Sequence, residues 1–362
     1  MTGNTSATGR TFALPKLSLT DRLLPVWVIV AIAAGIGLGR AFPDLGGQLD
    51  RVRFVDVSLP VGIGLFWMMY PVLARVKYGR MTAFTSQPRL MGVSFALNWV
   101  IGPLLMFALA WLLLPDHAEY RNGVILIGLA RCIAMVLIWN MLACGDGELA
   151  ALLVAVNSVF QIVFYSVFGF LFLSVVPGWM GLSQTEIDIS MWLIARNVLL
   201  FLGAPLIAGA LTRSVLMRLR GAEWYDNVFA RRLAPLSLAA LIYTIVVMFI
   251  SQGDRISVSP VDVGRVALPL IIYFVVMFGA AFFVTARLGY SYETTAAVSF
   301  TAAGNNFELA IAVAIGVFGL ASGEAFAAVV GPLIEVPALL GLVYLSLWLG
   351  RRLFPAPAAA TR

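Results

Sequence analysis

Long apolar runs separated by short polar connections dominate the sequence. The runs lie at 23–43, 57–76, 88–114, 122–145, 149–177, 191–212, 232–251, 265–288, 293–319 and 324–350. Each is about 20 residues or longer, which is the length that an α-helix needs to cross the hydrocarbon core of a bilayer. The runs are continuous, whereas a transmembrane β-barrel shows segments of about ten residues with alternating polarity. The pattern therefore predicts an all-α polytopic membrane protein with ten transmembrane helices.

Two of these runs, the fourth and the ninth, are interrupted by polar and small residues. The fourth contains GLARCIAMVLIWN at 128–140, and the ninth contains TAAGNNFELAIAVAI at 301–315. The interrupting residues are Arg131, Cys132, Asn140, Gly304, Asn305, Asn306 and Glu308. A charged side chain at the bilayer centre costs about 2.5–3.5 kcal/mol, so we expect Arg131 and Glu308 to face the protein interior or a wet cavity. Interrupted spans in both halves of a chain are typical of a transporter binding site.

The composition supports the membrane assignment. The 362 residues are 61% hydrophobic and 12% charged, with a mean hydropathy of +0.95, whereas soluble domains are about 45–50% apolar and about 25% charged. The net charge of +6 does not indicate a nucleic-acid partner, because lysines and arginines in cytoplasmic connections account for it. The two cysteines, Cys132 and Cys144, are too few for a disulfide framework or a thiolate metal cage. We expect no cofactor.

The distribution of basic residues between the connections predicts the orientation. One side of the ten-span layout carries Arg10, Lys16, Arg22, Arg75, Lys77, Arg80, Arg89, Arg213, Arg218, Arg220, Arg231, Arg232, Arg287, Arg351, Arg352 and Arg362. The other side carries only Arg40, Arg51, Arg53, Arg121, Arg255 and Arg265. Because cytoplasmic connections are enriched in Lys and Arg, both termini are predicted to be cytoplasmic.

Ten spans with both ends on one side divide into two halves of five helices. Because five is odd, the second half is inverted relative to the first, as in many secondary transporters. A short echo supports this division, since LACGDGELAALL at 142–153 aligns with LASGEAFAAVVG at 320–331. The predicted segments are a cytoplasmic tail at 1–22, a first five-helix repeat at 23–177, a second, inverted repeat at 191–350 and a cytoplasmic tail at 351–362.

Two acidic residues in apolar runs are candidates for proton-dependent chemistry. Removal from water penalises the charged form of a carboxyl, so an intramembrane acid can take up and release a proton near neutral pH. Glu308 is the first candidate; the alternative is a structural carboxylate that pairs with an arginine or caps a helix. Glu335, within GPLIEVPALL at 331–340, is a second buried acid and a supporting candidate.

Cys132 is the candidate thiol of the interrupted fourth run. A neighbouring cation such as Arg131 favours the reactive thiolate, and thiolates bind soft acceptors. The alternative is that Cys132 is a small apolar filler, the usual role of a buried cysteine. For Arg131 three roles stay open: a pair with Glu308, a counter-charge for the thiolate, or a contact with phospholipid.

Small and amide-bearing residues surround these candidates. Gly304, Asn305 and Asn306 suit an unwound helical segment whose amides and carbonyls line a cavity. We interpret Asn305 and Asn306 as substrate ligands beside Cys132 and Glu308. Gly304 and Asn140 are supporting residues in this interpretation.

These motifs resemble those of the arsenite efflux permeases of the arsenical-resistance-3 type, within the bile acid, arsenite and riboflavin transporter superfamily. The matching runs are MMYPVLARVKY at 68–78, GLARCIAMVLIWN at 128–140, LVAVNSVFQ at 153–161, TAAGNNFELAIAVAI at 301–315 and VVGPLIEVP at 329–337. The resemblance implies discontinuous fourth and ninth helices that cross in the middle of the membrane. It also implies that the family's essential cysteine is Cys132, as the arsenic contact, and that its essential carboxylate is Glu308, as the proton-coupling group.

The resemblance further implies a secondary transporter in the cell membrane that exports trivalent arsenic in exchange for protons. Its partners would be arsenous acid, protons and the lipid bilayer; antimonite stays open as a substrate, and no oligomeric state is predicted. The alternative carrier is a sodium-coupled organic anion symporter of the same superfamily. An intramembrane hydrolase or transferase is disfavoured, because the single histidine, His117, lies in a predicted loop and cannot serve Cys132 as a base.

The charge bias predicts that a reporter enzyme active only outside the cytoplasm gives no signal when it is fused after Arg362. The same reporter fused to a chain truncated at Gln48, in a connection predicted to lie outside, should be active and serves as the control. A strong signal from the fusion after Arg362 would contradict either the count of ten spans or the orientation.

Overall fold

The structure is a computed structural model that describes residues 23–51, 53–54, 57–76, 87–133, 135–182, 190–256, 260–320 and 322–354. The tail predicted at 1–22 lies outside the described residues, as do residues 355–362 of the predicted C-terminal tail. Lys77 and Arg80, which contribute to the predicted cytoplasmic charge, also lie outside them.

The first half of the chain forms helices that begin at local sequence signals. Its elements are α1 (Leu24–Ala41), α2 (Asp44–Arg51), the antiparallel hairpin strands β1 (Arg53–Phe54) and β2 (Val57–Ser58), α3 (Leu59–Ala74), α4 (Pro88–Leu113), α5 (Ala118–Leu129), α6 (Met135–Leu142) and α7 (Gly147–Trp179). A proline lies in the first turn of α1, α3 and α4, where its missing N–H has no intrahelical partner to lose. The Asp146 carboxylate caps α7 by accepting from the backbone N–H groups of Glu148 and Leu149.

The second half is helical throughout its described residues. Its elements are α8 (Met191–Arg220), α9 (Ala222–Trp224, a π-helical turn at Tyr225–Phe229 and Ala230–Ile256), α10 (Pro260–Arg287), α11 (Tyr292–Ala303), α12 (Phe307–Phe318) and α13 (Gly323–Leu353). The hydroxyls of Ser190, Ser291 and Ser322 cap α8, α11 and α13. A capping oxygen satisfies N–H groups that the helix itself leaves without a partner, which fixes where each helix begins.

Six helices among the described residues are long and apolar enough to cross a membrane: α4, α7, α8, α9, α10 and α13. Three shorter apolar helices accompany them, namely Ile29–Ala41 within α1, α3 and α12. The prediction of an all-helical polytopic fold is confirmed apart from the two-residue hairpin strands, and the count of ten spans stays a prediction. Helices α8 and α9 are longer than the sixth and seventh predicted runs. Arg218 and Arg220 lie at the C-terminus of α8, and Glu223 lies at the N-terminus of α9, where each charge interacts favourably with the helix dipole.

Both polar interruptions are breaks between helices, and the two breaks lie side by side. The chain is extended where α5 ends and again where α11 ends. Arg131, in the first break, forms an antiparallel β-bridge with Asn305, in the second. The backbone N–H of Cys132 donates to the carbonyl of Gly304 at 3.2 Å. We call this paired region the crossing: residues 130–133 and 304–306.

The helices pack as two groups. In the α9 group, α9 packs against α1 and α3, and α8 packs against α3. In the crossing group, α10 packs against α11 and α13, α5 packs against α4 and α13, and α12 packs against α13. Helices α6 and α7 pack together within the crossing group, and α8 contacts α7 and α12 across the boundary. The crossing therefore lies within one group and near the boundary with the other.

Equivalent elements of the two halves begin at similar separations along the chain. Helices α4 and α10 begin at positions 88 and 260, and α6 and α12 begin at positions 135 and 307, so the two pairs have the same separation. Helices α7 and α13 begin at positions 147 and 323, slightly further apart. The sequence echo, which aligns position 142 with position 320, has a longer separation than any of these pairs and does not align the breaks with each other. The division into inverted repeats stays a prediction.

Candidate functional site

The close approach of the two breaks requires a glycine at position 304. A Cβ atom on Gly304 would lie 2.9 Å from the Cys132 Cβ atom and 3.3 Å from the Phe300 carbonyl oxygen. With that space free, the Asn306 N–H also donates across the crossing, to the carbonyl of Ala130 at 3.1 Å. Backbone groups inside a membrane need such partners. The pairing therefore allows both segments of the crossing to leave the helical conformation.

Two asparagine side chains complete the hydrogen bonding of the crossing. Asn305 Nδ2 donates to the carbonyls of Ile127 and Ala130 at 2.9 and 3.2 Å, at the C-terminus of α5. Asn306 Oδ1 accepts from the backbone N–H of Leu309 at 3.1 Å and caps α12. Asn305 Oδ1 and Asn306 Nδ2 are buried and have no hydrogen-bond partner in the described part of the chain. Each predicted ligand therefore keeps one polar atom for another group.

Arg131 is fully buried, with 0% of its surface exposed. Its Nη1 atom donates to the Tyr273 hydroxyl at 2.7 Å and to the Ala302 carbonyl at 3.5 Å, and its Nη2 atom donates to the Gly128 carbonyl. Within the described residues no carboxylate forms an ion pair with this guanidinium. Of the three roles left open by the sequence, a salt bridge with Glu308 is therefore wrong for this conformation.

A cavity of about 640 Å³ separates the two groups of helices. Helices α3 and α9 form one wall, and α6, α7, α12 and α13 form the other. Arg75 and Asp226 also line the cavity, beside connections that the charge bias predicts to be cytoplasmic. Phe307, Glu308 and Glu335 contribute to the wall formed by the crossing group. The cavity thus joins the predicted cytoplasmic side to the neighbourhood of the crossing.

Two acidic side chains share the wall of this cavity that the crossing group forms. Glu308, in the first turn of α12, is partly exposed to it. Glu335, on α13, is only 3% exposed and lies near Glu308 and the backbone of Asn305. Glu335 Oε1 has no hydrogen-bond partner among the described residues. Neither acid forms an ion pair in the described structure, so both remain candidates for the proton-dependent chemistry predicted from the sequence.

Cys132 lies at the crossing but not on the cavity wall. It is 2% exposed, and its Sγ atom accepts from the backbone N–H of Val136 at 3.3 Å, at the start of α6. The next residue, Ile133, contributes to the wall instead. No group of three or more His, Cys, Asp and Glu side chains within the described ranges could hold a metal ion. The thiol thus belongs to the residue that precedes the wall residue Ile133 in the sequence.

Asn140 lies in the last turn of α6 and Cys144 in the turn between α6 and α7, and neither contributes to the cavity wall. The Asn140 carbonyl accepts from the Gly145 N–H at 2.8 Å, and its side chain packs so closely that a Cβ atom on Gly145 would collide with Oδ1. Asn140 therefore contacts the turn between α6 and α7 through Gly145.

Two residues that contact the crossing were not predicted from the sequence. Gln161 Oε1 accepts from the backbone N–H of Arg131 at 3.0 Å, and the Tyr273 hydroxyl accepts from its guanidinium. Gln161 lies within a run quoted for the resemblance, and Tyr273 carries the sole hydroxyl of the apolar stretch 266–284. An isolated polar residue in an apolar span is the signal that identified Glu308, and it could have identified Tyr273. Gln161 follows Asn157 and Ser158 in the same run, so this signal does not single it out.

Comparisons with known proteins cover nearly the whole chain. The sodium bile acid symporter family matches residues 62–259. An arsenical-resistance protein Acr3 of Corynebacterium glutamicum is 50% identical over 340 residues, which cover 94% of this chain and 92% of that protein. An uncharacterized transporter of Synechocystis is 33% identical over 346 residues, covering 90% and 88% of the two chains. The Acr3 protein of Alkaliphilus metalliredigens is 31% identical over 336 residues, covering 90% and 92%.

The substitution Gly304→Ala should lower the apparent melting temperature of the purified protein, because overpacking a close contact costs about 1–3 kcal/mol. The backbone at Gly304 has φ −73° and ψ 144°, which alanine adopts freely, so the change tests the contact with Cys132. Gly279→Ala, on α10, adds a Cβ atom that meets nothing within 4 Å and is the control. Equal melting temperatures for the two variants would contradict the close approach.

Proposed function

Because the chain belongs to the Acr3 family of arsenical-resistance transporters, we propose that it exports trivalent arsenic from the cell in exchange for protons. The larger sodium bile acid symporter family also includes it. These matches confirm the predicted resemblance and the prediction of a multi-pass membrane transporter rather than an enzyme. The observation that carries the proton coupling is the position of Glu308: it lies on the cavity wall two residues after the crossing and within electrostatic range of Glu335.

Arsenous acid, a neutral trihydroxide near neutral pH with a soft arsenic atom, is the proposed substrate, and antimonite is the second candidate. A carrier has to release what it binds, so its contacts must be favourable but breakable. One thiol, two amides and a carboxyl fit that requirement better than three thiolates. Cys132 is the proposed arsenic contact, and Asn305 and Asn306 offer one polar atom each to the substrate hydroxyls.

Proton exchange at Glu308 is proposed to supply the energy for export. Each entering proton contributes about 2.3 kcal/mol per 100 mV of membrane potential and about 1.4 kcal/mol per unit of pH difference. The substrate is uncharged, so the membrane potential acts on the exchange only through the proton. A proton on Glu308 and substrate in the cavity exclude each other in this scheme, and Glu335 supports the exchange from the same wall.

Alternating access is proposed to arise from movement of the α9 group against the crossing group. The cavity lies between these groups, so their relative movement opens and closes it. Cys132 precedes the wall residue Ile133 in the sequence and does not line the cavity itself. The same movement is proposed to bring its thiol to the substrate. In this proposal the two repeats span 23–177 and 191–350, and both termini are cytoplasmic in the cell membrane.

A sodium-coupled organic anion symporter stays the alternative carrier, because the larger family is named for such activity. It would transport a larger anion and would require sodium ligands near the crossing. Transport of arsenite that depends on pH and not on sodium supports the proposed function. The reverse dependence would favour the alternative.

Cys132→Ser should reduce arsenite transport at least about tenfold, since losing a contact worth about 1.4 kcal/mol has that effect, whereas Cys144→Ser should leave transport unchanged. The serine hydroxyl is a harder ligand than a thiol and contacts arsenic more weakly. The measurement is arsenite uptake into everted vesicles at equal amounts of protein. Equal losses in the two variants would show that no single thiol is responsible.

Glu308→Gln should abolish pH-driven arsenite transport, because an amide of nearly the same size cannot release a proton. The variant should still exchange arsenite at equal pH on both sides, since Cys132 and the asparagines remain. Glu308→Asp keeps the acid one methylene shorter and should be impaired less. The measurement is uptake into everted vesicles across a range of pH, and Glu223→Gln, at an exposed position on α9, is the control.

A Glu308→Gln variant that retained pH-driven transport with an unchanged pH profile would overturn the assignment of the coupling proton. The proton would then have to use another acid, and Glu335 is the nearest on the same wall. Loss of both transport and equal-pH exchange would instead indicate that Glu308 binds the substrate.

A further inference from the structure

The guanidinium of Arg131 lies between the C-terminal ends of two half-helices. It donates to the carbonyl of Gly128, one residue before α5 ends, and to that of Ala302, one residue before α11 ends. These last carbonyls of a helix have no intrahelical partner. One side chain therefore serves both half-helices that enter the crossing.

The charge of Arg131 matches the combined charge of these two helix ends. Each half-helix has 12 residues, and a helix C-terminus carries about −0.5 elementary charge. Two such ends provide about −1, which a guanidinium balances. Within the described residues no carboxylate pairs with Arg131, so the helix ends are the negative partners on which its buried charge depends.

Half-helix C-termini and unwound carbonyls coordinate the sodium ion in sodium-coupled carriers built from inverted repeats, and the name of the larger family implies such an ion. In this chain those carbonyls already have donors. The Arg131 guanidinium donates to the carbonyls of Gly128 and Ala302, and Asn305 Nδ2 donates to those of Ile127 and Ala130. A sodium ion would compete with these donors and meet the like charge of the guanidinium. The residues present do not fit sodium at this position.

The surrounding helices leave little space beside the guanidinium. The Tyr273 hydroxyl of α10 accepts from Nη1 at 2.7 Å. A Cβ atom on Gly102 of α4 would lie 2.8 Å from that Nη1 atom and 2.9 Å from the tyrosine oxygen. Four elements thus enclose the charged group: α4, α5, α10 and α11.

We propose that Arg131 is a tethered cation that takes the place of a coupling sodium ion, so that the folded carrier needs no sodium. Arg131 acts as a positioning residue: it holds the two half-helix ends together and contacts no substrate. The proposal deepens the proposed function, on which it rests for the coupling reaction alone. Removal of the side chain should expose a carbonyl-lined position that a small cation from solution can fill.

The test measures the apparent melting temperature of the purified full chain in NaCl and in choline chloride at equal ionic strength, without arsenite. The wild type should melt at the same temperature in both salts. Arg131→Ser should melt lower than the wild type in choline chloride and should gain at least about 2 °C in NaCl, since a ligand that binds only the folded state raises the melting temperature. Millimolar guanidinium chloride should stabilise Arg131→Ser in the same way.

Two further variants separate this effect from a general loss of stability. Arg131→Lys keeps a tethered charge as a compact ammonium and should be insensitive to sodium. Arg121→Ser is the matched control, because Arg121 is also buried and donates to carbonyls that follow a helix end, those of Leu114 and Pro115. It lies at a single helix end, so its removal should lower stability without a gain specific to sodium.

The proposal is overturned if sodium specifically stabilises the wild type or Arg131→Lys, or if folded Arg131→Ser gains nothing from sodium. If Arg131→Ser yields no folded protein, sodium-insensitive wild type and Arg131→Lys support the proposal. Because the assay contains no arsenite and no pH gradient, its failure leaves arsenite–proton exchange standing. Failure of the Glu308 experiments, which test the coupling proton, likewise leaves the tethered cation standing.

Discussion

Backbone polar groups inside a bilayer have no water to bind, so a helix can break there only where other groups replace its hydrogen bonds. In this chain, each break provides hydrogen-bond partners for the backbone of the other. The bridge between Arg131 and Asn305, with the flanking bond from Cys132 to Gly304, pairs one extended segment with the other. Neither segment could be extended alone inside a bilayer, because its backbone groups would lack partners. Gly304 permits the approach, and the residues that follow each break begin α6 and α12 at the cavity.

The chemistry of the proposed carrier depends on this arrangement. Because α12 begins directly after the crossing, Glu308 is held in its first turn, on the wall of a cavity of about 640 Å³. Glu335, on α13, lies on the same wall, near the backbone of Asn305. The crossing thus places two acids on one cavity wall, and the thiol of Cys132 belongs to the residue that precedes Ile133 on that wall. Arg131 also lies at the crossing, but its guanidinium donates to carbonyls at two helix ends. Neither acid forms an ion pair in the described structure.

Much of this could be predicted from the sequence, because apolar runs and their polar interruptions are local patterns. The run limits lie within a few residues of most helices, and both breaks fall where Cys132 and Gly304 interrupt a run. The partners of Arg131 could not be predicted, since Tyr273 and Ala302 lie more than 140 positions away in the chain and only packing brings them together. The same limit explains why the amide of Asn305, expected at the substrate, is directed to the carbonyls of α5.

The central claim, that arsenite and protons move in opposite directions through one carrier, is tested most directly by measuring the protons. The purified protein is placed in vesicles that contain a trapped pH indicator, without sodium, at equal pH on both sides and with the membrane potential clamped by potassium and an ionophore. When arsenite is added outside, its entry should drive protons out and make the lumen alkaline, to an extent that grows with the arsenite gradient. Arsenite entry with no change in luminal pH would contradict the account.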